Sequence, residues 1–153
     1  MTPKNIRVID SILKHRQLSH QVFRDVEKFG NDAFDYLRDL LLKKPGSRTT
    51  INGLKLMISL AGQAAQDASG PRLPEVFDVA STFVTDPDLD VRTTAARMVV
   101  GSLGLLEGLG RGPDAVGGVA RVLSVARTSL SAEPKAAERG MLEKLIAQLE
   151  PQS

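Results

Sequence analysis

The sequence contains no cysteine and no tryptophan, and Tyr36 is its only tyrosine. Without cysteine there is no disulfide framework, no thiolate metal site and no cysteine nucleophile. A reducing cytoplasm is the compartment such a composition fits. Aromatic residues make up 4% of the chain, poor material for base stacking, an aromatic cage or a flavin pocket. Long apolar runs are also missing. The longest, Met98 to Leu106, is broken by Gly101, Ser102 and Gly104 and falls far short of the ~20 residues that span a bilayer. Lys4, Arg7, Asp10 and Lys14 break up the stretch where a signal peptide would carry its apolar core, so neither export by that route nor a membrane partner is expected.

Charge of one sign is scarce too. The chain holds 20 basic and 18 acidic residues, a net charge of +2. Residues 1–50 carry ten Lys/Arg against six Asp/Glu, residues 51–110 four against seven, and residues 111–153 six against five. A mildly basic first third and a mildly acidic middle describe a solvated surface better than a nucleic-acid footprint. What the chain has is 153 residues, 42% of them hydrophobic, enough for one globular domain with a core.

The apolar spacing is helical nearly throughout. Thr2-Pro3 suits an N-cap followed by proline, with Ile6, Ile9 and Leu13 on one face. Ser19 caps a second helix bearing Val22, Phe23, Val26 and Phe29, which Gly30 ends. Asn31 opens a third helix with Phe34, Leu37, Leu41 and Leu42 inward, closed by Pro45-Gly46-Ser47. A fourth helix over about 49–66 carries Leu54, Met57, Ile58, Ala61 and Ala65. Asp67 to Pro74 reads as a loop, and a fifth helix runs to about Thr85. Asp86-Pro87 reads as cap plus proline for a sixth helix reaching about Leu106. Gly108, Gly110, Gly112 and Pro113 mark a flexible joint. A seventh helix carries Val116, Val119, Val122, Leu123 and Ala126, then a turn at Ser131 to Pro134. The last helix holds Leu142, Leu145, Ile146 and Leu149 and ends at Pro151. No segment alternates as a strand does.

Sliding the chain against itself by 42 residues superposes helix pairs. Leu41 falls on Phe83 and Val125, Leu42 on Val84 and Ala126, and Met57 on Val99 and Met141. Ile58 falls on Val100 and Leu142, and Ala61 on Leu103 and Leu145. These are expected to be inward positions. Lys55, Arg97 and Arg139 also align, while Leu54 falls on Ala96 and Glu138, and Leu37 on Val79 and Arg121. A period near 42 lies in the ~40–47 range of helical-pair arrays.

The copy from Pro74 to Leu105, with PEVFDVASTFVTDPDLDVRTTAARMVVGSL, resembles the HEAT-repeat family, close kin of armadillo repeats. That family places an Asp in the turn between two helices and an Arg six residues later, after a Val. Here these are Asp86, Val91 and Arg92, followed by Ala95 and Ala96. The matching positions of the other copies are Lys44 with Thr50 and Thr128 with Pro134. The resemblance implies an all-α fold, a short right-handed α-solenoid of about eight helices. It implies capping helices over 1–30 and helix pairs over 31–69, 73–111 and 113–150 of a single domain. It also implies that Asp86 and Arg92 tie the turn together.

Catalytic and metal chemistry finds little footing. Asp86, Asp88 and Asp90 alternate as a calcium loop begins, but Val91 and Arg97 stand where the loop's Gly and bidentate Glu belong. His15 and His20 are five apart and share no helix face. The glycine-rich stretch from Gly101 to Gly112 lacks the Gly-Lys-Ser/Thr of a phosphate loop and follows a helix. No cofactor is implied. The expected function is a non-catalytic interaction module of adaptor, scaffold or toxin-neutralising type, taking a protein partner with an acidic surface. Lys55, Arg97 and Arg139 form the candidate binding ladder, with Arg111 at a loop tip as a further candidate. The alternative is a nucleic-acid binder using the same ladder on phosphates, since some HEAT-like proteins are DNA-repair glycosylases.

Overall fold

The computed structural model describes residues 1–64, 72–111 and 116–150. Among them are eight α-helices and no strand: α1 (Pro3–Leu13), α2 (His20–Glu27), α3 (Gly30–Leu42), α4 (Ser47–Ala64), α5 (Leu73–Ser81), α6 (Leu89–Gly108), α7 (Val119–Ser131) and α8 (Ala136–Leu149). The chain forms two compact units, Met1–Arg72 and Leu73–Ser153. Ala65, most of the loop expected at Asp67 to Pro74, the 69 and 113 pair boundaries, Gly112, Pro113 and Pro151 lie outside the described residues.

In the first unit α4 packs against each of α1, α2 and α3. Thr2 caps α1 by accepting the Asn5 N–H at 3.2 Å, with Pro3 in the first turn, and Ser19 caps α2 by accepting that of Val22 at 3.3 Å. Ile9, Leu13, Val26, Phe34, Leu37 and Leu41 close over Leu54, Leu56 and Met57 of α4, all of them almost fully buried. Leu42, expected inward, is instead 55% exposed. One residue advances 100° around a helix, so a fully buried Leu41 carries its neighbour off the stripe. Gly53 lies close against α3: a Cβ there would stand 2.9 Å from Leu41 Cδ2, so a larger residue would have to displace the Leu41 side chain.

Two polar contacts hold α1 in this unit. Asn52, 3% exposed, donates from Nδ2 to the carbonyls of Leu13 at 2.9 Å and His15 at 2.8 Å, satisfying the C-terminal end of α1. Tyr36 on α3 donates its hydroxyl to the Asp10 carboxylate.

In the second unit α5 pairs with α6, α7 pairs with α8, and α6 packs on α8. Three expectations are corrected here. Pro74 belongs to the first turn of α5, where a missing N–H costs nothing. The α-helix stops at Ser81, and turns with i to i+3 bonds (Phe83 N–H to Ala80, Asp86 N–H to Phe83) carry the chain on. The cap of α6 is Asp88, not Asp86. The Asp86 carboxylate accepts the Asp88 N–H at 2.9 Å, and Asp88 in turn accepts those of Asp90 and Val91 at 2.9 and 3.2 Å. One extra local turn therefore precedes the helix. At its far end Gly110, with φ +76°, ends α6: its N–H and that of Arg111 return to the carbonyls of Glu107 and Leu106, both at 2.9 Å.

Two measurements check the first unit. Burial, then the Asp10 hydrogen bond and charge, push the Tyr36 phenol up to about 12 from its ordinary 10.0. A raised folded-state value means the stabilisation is complete below pH 10 and is lost as pH rises towards 12. The only phenolate absorbance in the folded protein should therefore titrate near 12, and the loss of stability in that window should vanish in Tyr36→Phe; a midpoint at 10 contradicts the contact. Asn52→Ala strands two carbonyls and should cost ~1–3 kcal/mol in a urea melt.

Candidate interaction surface

Each second helix begins three residues after a turn residue: α4 after Lys44, α6 after Asp86, α8 after Glu133. Lys44 and Glu133 both adopt positive φ, 52° and 56°, and each precedes a proline. The spacing between these turn residues is 42 and then 47. Thr128, expected in the third turn, instead lies inside α7, because α7 begins 33 residues after Asp86 whereas α5 begins 29 after Lys44. The third copy is displaced by five residues from the fixed offset.

The turn-anchored register reveals a shared device six residues on. In the first unit Thr50, 1% exposed, donates its hydroxyl to the carbonyls of Pro45 at 3.3 Å and Gly46 at 3.1 Å. In the second unit Arg92 donates from Nη1 to the carbonyls of Asp86 at 3.0 Å and Pro87 at 3.2 Å, and Arg139 donates from Nη2 to that of Pro134 at 3.4 Å. All three close their own turn. The expected Asp86–Arg92 pairing is thus made to the Asp86 carbonyl, while Oδ1 of its carboxylate accepts the Asp88 N–H.

The carboxylate partner of Arg92 is Glu138 on α8, met by Nε at 2.9 Å and by Nη2 at 3.4 Å. Their side chains are 27% and 13% exposed. The hydrogen bond to Glu138 raises the already high pKa of Arg92, against a lowering by burial, with the charges of Glu138, Asp86 and Asp88 adding to the rise. Glu138 was visible only as a misfit, the acid that falls on Leu54 and Ala96 when the copies are superposed.

Eleven residues after each turn stand Lys55, Arg97 and Lys144, all exposed. Lys144 is the residue the ungapped offset missed, and Arg139 stands in line with Arg92 rather than with Arg97. Lys55 belongs to α4 of the first unit. Arg97 and Lys144 belong to α6 and α8 of the second, which pack together. None of the three has an ion-pair partner among the described residues. Four and seven residues beyond Arg97, on the same line of α6, come Gly101 and Gly104, and Leu105 beside them is 44% exposed. Arg111 is exposed, with its backbone tied to the end of α6.

Other candidate chemistry is dispersed. His15 and His20 are both exposed, at the end of α1 and the start of α2. No group of three metal-ligating side chains occurs among the described residues, and no helix there is long and apolar enough to cross a membrane. Comparison with protein-family models, curated proteins and solved structures finds no match.

Arg92 and Glu138 should prove coupled. Glu138→Gln is expected to cost ~1–2 kcal/mol, and Arg92→Ala more, since it also releases two carbonyls. Arg92→Lys should not rescue it, because an ammonium cannot span a carboxylate and two carbonyls in one plane. A double-mutant cycle in urea that gives no interaction energy contradicts the contact.

Proposed function

We propose that the chain is a HEAT/armadillo-like repeat protein, a short right-handed solenoid whose pairs follow the capping helices α1 and α2. It serves as a non-catalytic cytoplasmic module that binds a protein partner with an acidic surface. Two features of the second unit support the repeat reading. Its second helices α6 and α8 pack on each other, as stacked pairs require. Its two turns carry an acid and an arginine six residues apart, Asp86 with Arg92 and Glu133 with Arg139, the spacing that the family resemblance rests on.

The observation that carries the binding reading is the cation at one height on every second helix. Lys55, Arg97 and Lys144 are exposed and free of ion pairs among the described residues, whereas Arg72, Arg92 and Arg127 each meet a carboxylate at 2.7 to 3.0 Å. About two turns beyond Arg97 on α6, exposed Leu105 adds apolar surface that a partner would cover. An acidic protein surface meets both needs. A phosphate backbone would meet only the first, and the aromatic-poor composition offers nothing for bases.

Reversing Lys55, Arg97 and Lys144 to Glu should leave the melting temperature nearly unchanged and slow association with a co-purified partner, more so at low salt. Arg139→Glu, whose side chain serves its own turn, is the internal comparison and should alter stability before it alters the association rate. Equal rates for the triple variant and the parent at both salt concentrations would remove these cations from the interface. Retention of a DNA duplex with a steep salt dependence would move the reading to nucleic acid.

A further inference from the structure

Between α2 and α4 of the first unit lies an open groove of about 410 Å³, lined by His20, Phe23, Arg24 and Glu27 of α2 and Ser59 of α4. The α2 residues fall at intervals of three and four, so they form one stripe along that helix. Val26, three residues from Phe23 and fully buried, lies about a third of a turn from that stripe, so the stripe flanks the contact between α2 and α4. Ser59 lies one turn beyond Lys55 on α4, which sets the two side chains about 5–6 Å apart at their Cβ atoms.

The charges around this groove do not cancel. Glu27 already has a partner in the fold. Arg24 and Lys55 are exposed and have no ion-pair partner among the described residues. His20 stands one turn from Arg24 and adds a ring donor at the rim. Phe23, half-buried, supplies an apolar wall. The occupant these groups recognise carries carboxylates next to an aliphatic side chain. We infer that the groove binds a short acidic segment of a partner protein, with carboxylates on Arg24 and Lys55 and an aliphatic side chain against Phe23. The inference rests on the acidic-partner reading above and adds where on the first unit that partner is held.

The test is an amide-resonance titration of the full 15N-labelled chain with a synthetic peptide of alternating Glu and Leu. The expected result is perturbation of His20, Phe23, Arg24, Lys55 and Ser59 by the peptide. Its Gln-for-Glu counterpart should perturb none of them, and Arg24→Glu with Lys55→Glu should bind about tenfold more weakly. Arg24→Ala with Lys55→Ala gives the same reading if the reversal disturbs folding. Perturbation confined to residues around Arg97 and Lys144 overturns the groove while leaving the proposed function standing. No perturbation in either unit overturns both. Equal binding of the Gln peptide overturns the carboxylate recognition. Tighter binding of oligothymidylate than of the Glu-Leu peptide at the same residues overturns the choice of a protein segment.

Discussion

The guanidinium of Arg92 is shared by three pieces of the second unit: the turn that follows α5, the first turns of α6, and α8. Its planar fork makes this geometry available, because Nη1 faces the turn carbonyls while Nε and Nη2 face the Glu138 carboxylate. The energies decide what the contact does. Charged hydrogen bonds of this kind are worth ~1.5–3 kcal/mol together with the desolvation they offset. Burying Leu142, Leu145 and Leu149 of α8 contributes roughly 1.5–3 kcal/mol for each side chain. Apolar burial therefore holds α8 against its neighbours, and Arg92 selects the height at which it is held. A hydrophobic face alone tolerates sliding by a turn, whereas a bidentate ion pair does not.

The same height-setting problem is solved differently in the first unit. There the turn after Lys44 is closed by Thr50, a neutral and almost wholly buried donor. Thr50 reaches only its own turn, and the polar link between separate helices falls to Asn52 and Tyr36. Both units thus direct buried polar groups to backbone carbonyls or to a carboxylate, and in both the rest of the interior is mostly apolar, with Phe34 in the first and Phe77 and Phe83 in the second. This division suits a chain with no cysteine and few aromatic residues. With small cores and no covalent staples, the orientation of the helices rests on a handful of directional bonds.

How much of this was legible in the sequence follows from the range of each interaction. Thr2, Pro3 and Ser19 act within one turn of themselves, and they were read correctly as caps. The identity of the α6 cap was two residues off because Asp86, Asp88 and Asp90 are all good caps, and only the Asx turn at Asp86 decides among them. The repeat spacing of 42 held between the first two turns and failed at the third, because α7 starts four residues late relative to α5; a search without gaps cannot see an insertion. That one shift explains why Arg139 was aligned with Arg97, and why Lys144 was passed over. Glu138 and Asn52 were missed for another reason. Their partners lie 46 and 37 to 39 residues away, and a polar residue inside an apolar stripe gives no sign of its partner. In both cases the misfit in the pattern was the only local signal.

The arginines and lysines divide by what the fold asks of them, and that division bears most directly on function. Arg72 stacks 4.0 Å above the Phe34 ring and meets Asp35 at 2.7 Å, so its desolvated side chain belongs to the packing of α3. Arg121 donates to the Ser81 carbonyl at 3.4 Å, and Arg92 and Arg139 close turns. Each of these can be explained within the chain. Arg24, Lys55, Arg97 and Lys144 cannot, since they contribute no ion pair among the described residues and sit beside the groove or on the outward side of second helices. A solvated cation costs the fold little, so exposure alone assigns no role. Recurrence does discriminate. Eleven residues past three turns of different sequence and different closing chemistry, the residue is a cation each time, although the side chains six residues past those turns range from threonine to arginine. Folding requirements act on the closing position and leave the outer one free to vary. Under the proposed function, a position with no ion pair among the described residues that nonetheless carries a cation after each of the three turns is where an acidic partner surface would meet the chain.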